Sequence, residues 1–143
     1  MRLVQAIALG LSGLAMSSVS LASVEKAETA SSAAALESYI VKFGETGVLH
    51  YAGDLPGMRA TRPQSTGLRK LDAKSPASLA YRDYLRGIRE TRLVEISSAI
   101  ARPVSAAHDY DIMFHGVALD LTAAEAQRLR SVPGVISVEL GGT

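Results

Sequence analysis

The run MFHGVALDLTAAEAQRLRSVPGVISVEL, residues 113–140, decides the fold. Val117, Leu119 and Leu121 alternate with Ala118 and Asp120, the pattern of a strand with one face on a core and the other free. His115-Gly116 marks a turn or bulge entering that strand. Thr122-Ala-Ala-Glu125 then has the form of a capping box, in which the threonine hydroxyl accepts from the amide three residues on and the glutamate reaches back. Leu129 and Val132, supported by Ala126, give the inner stripe of a short helix; Pro133-Gly134 stops it, and residues 135–140 (VISVEL) read as a last strand.

Upstream, residues 104–113 (VSAAHDYDIM) form a less regular strand. A long helix precedes it, starting at Ser75-Pro76, where serine can cap and proline occupies the first helical position without losing a needed N–H. Leu79, Leu85, Ile88, Ile96, Ala99 and Ile100, with Tyr81 and Tyr84, recur at helical spacing as one buried stripe. Gly87 weakens that helix by about 1 kcal/mol relative to alanine. Pro103 ends it. Arg82, Arg86 and Arg89 are expected on a solvated face, with Arg86 and Glu90 spaced for an i,i+4 pair.

Before the helix, residues 38–43 (SYIVKF) read as a strand closed by Gly44, although both alternating sets are apolar and leave its inner face open. Residues 44–75 hold five glycines with Pro56 and Pro63 and no sustained period, so a long loop is expected, a surface elaboration that adds nothing to the core. The order is strand, helix, strand, strand, helix, strand. Such an α+β chain builds a ferredoxin-like βαββαβ sandwich, two helices on one face of a four-stranded antiparallel sheet. Its other sheet face stays uncovered, a ready docking surface.

Arg2 precedes an apolar run over residues 3–16, and Ser20-Leu21-Ala22 fits a cleavage pattern, so residues 1–22 read as a secretory signal peptide. The run is too short and too rich in Gly and Ser for a membrane span, which needs roughly 20 apolar residues. Residues 23–37 read as an Ala/Ser/Glu-rich linker, residues 38–140 as the folded domain and 141–143 as a tail. A secreted or periplasmic chain follows, with no membrane contact once the signal is removed. Without residues 1–22, 14 basic and 14 acidic side chains remain, and no bulk charge argues for nucleic acid. The absence of cysteine excludes disulfides, thiolate catalysis and thiolate metal sites.

Catalytic motifs are missing. No G-x-S-x-G elbow or phosphate loop occurs in the folded part. Base-stacking aromatics are absent from Val117-Ala118-Leu119-Asp120, and Phe114 alone does not supply them. Acylphosphatase-like chemistry would want a basic loop after the first strand, where Gly44-Glu45-Thr46-Gly47 is acidic. His108, Asp109, Asp111 and His115 could be drawn as a metal site, yet no spacing completes a ligand set. The residues describe a binding module with no cofactor and no metal.

Tyr39-Ile40-Val41, Phe114-His115-Gly116-Val117-Ala118, Leu121-Thr122 with Ala124-Glu125 and Leu129, and Pro133-Gly134-Val135 with Ser137-Val138-Glu139 together resemble the N-terminal propeptides of subtilisin-like serine proteases, a family that includes stand-alone proteinase inhibitors. Gly67-Leu68-Arg69-Lys70-Leu71 with Ser75-Pro76 resembles, more loosely, propeptides of larger secreted bacterial subtilases. The resemblance implies a domain that packs its open sheet face on surface helices of the protease, lays its C-terminal tail along the substrate cleft, and both inhibits the enzyme and assists its folding, in cis or in trans. Acidic groups would meet helix N-termini of the partner, where negative charge is favoured. The positions it singles out are Asp109, Asp111, Phe114, His115, Asp120 and Glu139, with Leu140, Gly141, Gly142 and Thr143 as the tail. Only four residues follow Glu139, two of them glycines whose ordering costs most backbone entropy, so weak filling of the cleft is expected from this chain alone. A monomer is expected when unbound. The alternative from another class is a ligand- or metal-binding module of the cell envelope using His108 and His115.

Overall fold

The computed structural model describes residues 35–141; the predicted signal peptide, most of the predicted linker, and Gly142 and Thr143 lie outside the described residues. Its elements are β1 (Glu37–Phe43), a 3₁₀ turn (Val48–His50), a short α1 (Pro63–Thr66), α2 (Pro76–Ile100), β2 (His108–Tyr110), β3 (Gly116–Leu121), α3 (Ala123–Leu129) and β4 (Val135–Leu140). The strands form one antiparallel sheet in the order β2-β3-β1-β4, the ferredoxin-like arrangement expected.

Tyr39, Val41 and Phe43 of β1, Val117, Leu119 and Leu121 of β3, and Val138 of β4 all point to one side, where Ile96 and Ile100 of α2 and Ala126 and Leu129 of α3 cover them. A register shift between Lys42 and Phe43 keeps Val135 opposite Phe43 and leaves Ile136 exposed. The starts of α2 and α3 are capped as their sequences require. Ser75 Oγ accepts from the Ser78 amide at 3.1 Å, and Thr122 and Glu125 exchange both bonds of the capping box. The long helix stops two residues before Pro103, where Ala101 turns left-handed (φ 58°) and its amide closes on Ser97.

Four expectations are corrected. Residues 44–75 are not a bare elaboration: Val48 and Tyr51 are buried with Tyr81 and Leu85 of α2, and Leu55, Met58, Leu71 and Ile112 pack around them as a second core. Tyr51 and Tyr81 stack with ring centres 3.9 Å apart, and burial pushes the Tyr81 hydroxyl up to about 12. The strand expected over 104–113 shortens to three residues, because only His108–Tyr110 pair with β3. Within the helical stripe Leu79 and Ala99 are exposed, and the buried line runs Tyr81, Leu85, Arg89, Ile96, Ile100. The arginine row is not a solvated face, since Arg89 is buried, Arg82 binds Asp111, and Arg86 pairs with Asp83 rather than Glu90.

The helix faces are testable. Leu85→Ala should cost about 3 kcal/mol in urea unfolding, a large-to-small change in a filled core, whereas Leu79→Ala should stay within about 0.5 kcal/mol. Equal losses at the two positions would contradict this orientation.

Candidate functional site

The face of the sheet away from the helices is built in rows fixed by the register. Tyr110, Gly116, Lys42 and Ser137 form one row, and His108, Ala118, Ile40 and Glu139 the next; Asp120 and Ser38 follow. Gly116 sits so close to the Val41 carbonyl that no Cβ would fit, and the Phe114 ring lies over it. Phe114 is therefore held on this face, 5.1 Å from the Tyr110 ring and with the Lys42 ammonium 5.0 Å from its centre. An aromatic ridge marks one end of the face. At the other end Asp120 and Glu139 are exposed, and neither forms an ion pair among the described residues.

Leu140 ends β4 opposite Tyr39 and is 60% exposed; the Gly141 amide still donates to Ser38 O at 2.8 Å, so the chain leaves along the sheet beside the free acids. Gly142 and Thr143, the rest of the expected tail, lie outside the described residues.

The remaining candidates sit elsewhere. Asp109, opposite Val117, turns to the helix side and meets Arg89 Nε at 3.2 Å, while Asp111 meets Arg82 Nε at 3.0 Å. His115 is fully buried under the sheet, edge-on to Phe43 at 5.1 Å. Its Nδ1 lies 3.1 Å from Glu45 Oε1; a carboxylate only accepts, so Nδ1 carries the proton and donates. Burial pushes the His115 pKa down, the Glu45 carboxylate opposing that shift and the Arg89 guanidinium adding to it. His108 is exposed on the open face, so the two histidines occupy opposite sides of the sheet and cannot share an ion. Among the described residues no group of three His, Asp or Glu side chains could hold a metal.

Sequence reasoning had no hold on Lys42, Ile40 or Tyr110 as members of the face. Both alternating sets of β1 were apolar, and the side on which β2 shows its odd residues depends on pairing with β3. The usable signal was Ala118 and Asp120: once Val117, Leu119 and Leu121 go inward, these two must go outward.

A family model for peptidase inhibitor I9 matches residues 38–141. No curated protein and no solved structure matches the chain.

The buried charges make stability fall with acid. An unfolded histidine takes a proton below about pH 6.5 while folded His115 resists it, so the unfolded state binds more protons and stability drops from there down to the depressed folded pKa. Glu125, held down to about 2 by the Arg102 guanidinium, adds a second loss from 4.5 towards 2. Denaturant unfolding of the wild type should weaken steadily between about pH 6.5 and 5, and His115→Gln should flatten that interval. An unchanged slope in the variant would remove His115 as the cause.

Proposed function

The chain belongs to the peptidase inhibitor I9 family, and on that premise we propose that it binds a subtilisin-like serine protease through its open sheet face, inhibits it, and assists its folding. Within that reading Tyr110 and Phe114 supply apolar anchors at one end of the face. Asp120 and Glu139 supply negative charge for helix N-termini of the protease at the other. Leu140 and Gly141 start the segment that runs towards the substrate cleft. Residues 1–22 direct secretion, and no helix among the described residues is long and apolar enough to cross a membrane.

The observation that carries the proposal is the separation of the carboxylates. Asp109, Asp111, Glu45 and Glu125 are each engaged by an arginine on the helix side. Among the described residues Asp120 and Glu139 are the open-face carboxylates that form no ion pair, and they lie beside the outgoing tail. Asp109 and Asp111 therefore act in holding the fold, and His115 acts from beneath the sheet.

Titration of the chain from residue 23 against a panel of subtilases, with refolding of an acid-unfolded subtilase in its presence, tests the function; no inhibition and no assisted refolding at micromolar concentration would sink it. Asp120→Lys and Glu139→Lys should each raise the inhibition constant roughly tenfold with an unchanged melting temperature. Asp109→Asn should instead lower the melting temperature, and should weaken inhibition only through the loosened aromatic end of the face, so that its two effects move together where those of the lysine variants do not.

A further inference from the structure

Residues 59–74 carry Arg59, Arg62, Arg69, Lys70 and Lys74 against one carboxylate, Asp72, whereas the rest of the sequence holds ten basic and thirteen acidic side chains. None of these five cations forms an ion pair among the described residues, in contrast to the arginines of α2. The single acid is occupied locally: Asp72 Oδ1 accepts the Lys74 amide at 3.0 Å. Arg59, Arg69, Lys70 and Lys74 are exposed.

Arg59 lines a groove of about 480 Å³ between the loop and the first turns of α2, and Arg62, Arg69 and Lys74 are chain neighbours of the lining residues Thr61, Leu68 and Ser75; Asp72 lines it too. The walls are mostly apolar, with Met58 and Ala60 from the loop, Ala77 and Ala80 from the helix, and Leu68, 51% exposed, while Thr61, Thr66 and Ser75 add hydroxyls. The loop wall is built rather than slack. Tyr51 Oη donates to Met58 O and accepts from the Leu55 amide, both at 3.0 Å, and the Thr61 and Arg62 amides both reach Tyr51 O at 3.1 Å. Buried Thr61 bonds the Val48 carbonyl and ties this wall to the second core.

We propose that this groove binds an acidic polypeptide segment of a protein partner that carries one large apolar side chain. The surplus of cations along residues 59–74, five against one acid, supplies charge complementarity, which steers encounter and selects the sign of the partner. The volume and lining suit one aliphatic or aromatic anchor. A nucleic acid strand would want aromatic side chains to stack its bases, and the groove has none. A lipid surface is met best by several large apolar side chains that protrude, whereas of the two large ones in this lining, Met58 and Leu68, only Leu68 is exposed. The groove lies beyond the end of β1 at Phe43, and the tail leaves at the other end of the sheet, beside Tyr39. It is thus a second surface, independent of the docking assigned to the open face.

The test uses the full chain and the probe acetyl-Asp-Glu-Asp-Leu-Glu-Asp-Glu-amide at about 150 mM salt, where diffuse attraction is screened beyond roughly 8 Å. Calorimetry and amide NMR should show saturable binding, with shifts centred on Met58, Ala60, Leu68 and Ala77. Replacing the probe's leucine by serine should weaken binding about tenfold, as loss of one buried side chain implies. Ala80→Trp, which fills the groove from an exposed helix position, and Arg59→Glu with Lys74→Glu should each abolish binding; circular dichroism confirms that these variants fold. Equal affinity for the serine probe, undiminished binding by the variants, or adsorption to phosphatidylglycerol vesicles without probe binding would overturn the proposal. Subtilase inhibition is read separately, so either surface can fail without the other.

Discussion

Arg89 occupies a position in the buried face of α2 where the spacing to Leu85 and Ile96 calls for an apolar side chain, and its ion pair with Asp109 is the contact the rest of the structure leans on. The arginine is 7% exposed. Removing Asp109 would leave the buried guanidinium without its counter-charge, the costly direction, whereas Asp109 itself is half exposed and without Arg89 would face water. The pairing is not even complete, because Arg89 Nη1 finds no hydrogen-bond partner among the described residues. Its structural effect is on β2, a three-residue edge strand that could not hold its register by ladder bonds alone. Clamping Asp109 to the helix side turns His108 and Tyr110 to the open face. The aromatic end of that face thus depends on a charge buried beneath the sheet.

Two further arginines of this region extend the clamp. Arg92 lies over Gly134 (φ 89°), where a Cβ would collide with its guanidinium, and binds Glu45 at 3.1 Å. The turn before β4 is therefore tied to the segment after β1, which also carries the Glu45 partner of His115. At the far end Arg102 holds both oxygens of Glu125 at 2.7 and 2.8 Å and also donates to Asp120 O at 2.8 Å. The C-terminal end of α2, the start of α3 and the end of β3 meet on that one side chain, beside the point where Gly141 leaves the sheet.

Much of the frame was legible before any coordinates. Period-two alternation in β3, the Thr122–Glu125 box and the Ser75-Pro76 start rest on contacts within a few residues, and these the chain spells out locally. What could not be read rests on partners far away in sequence. The apolar residues of 44–75 have no period because Val48, Tyr51, Leu55 and Met58 pack from turns rather than from one helix or strand, so a second core looked like an idle loop. Arg89 and Asp109 are twenty positions apart, and a charge on a helix is ordinarily solvated. Its place four residues after Leu85 and seven before Ile96 was the available warning, since a charge in a buried stripe demands an opposite charge opposite it. The candidate site split along the same line: Asp120 followed from local alternation, while Asp109 and Asp111 depended on which way a short edge strand faces.

The consequence is a division of charge by face. Asp109, Asp111, Glu45 and Glu125 meet arginines on the helix side, and Lys42 is taken up by the Phe114 ring. Asp120 and Glu139 on the open face form no ion pair among the described residues: Arg102 donates to the Asp120 carbonyl and Arg130 to the Val138 carbonyl beside Glu139, and neither binds the carboxylate, which leaves both acids able to meet a partner. The cations of residues 59–74 form no ion pair among the described residues, and the one acid of that segment, Asp72, accepts from the Lys74 amide. Charge that folding has consumed specifies the architecture, and among the charges left without an ion pair in the described residues are Asp120 and Glu139 beside the outgoing tail and the five cations of residues 59–74. A single partner surface of one sign could not satisfy both sets. On the two proposals made above, each set meets complementary chemistry, helix N-termini of a protease against the sheet and an acidic, singly anchored segment against the loop.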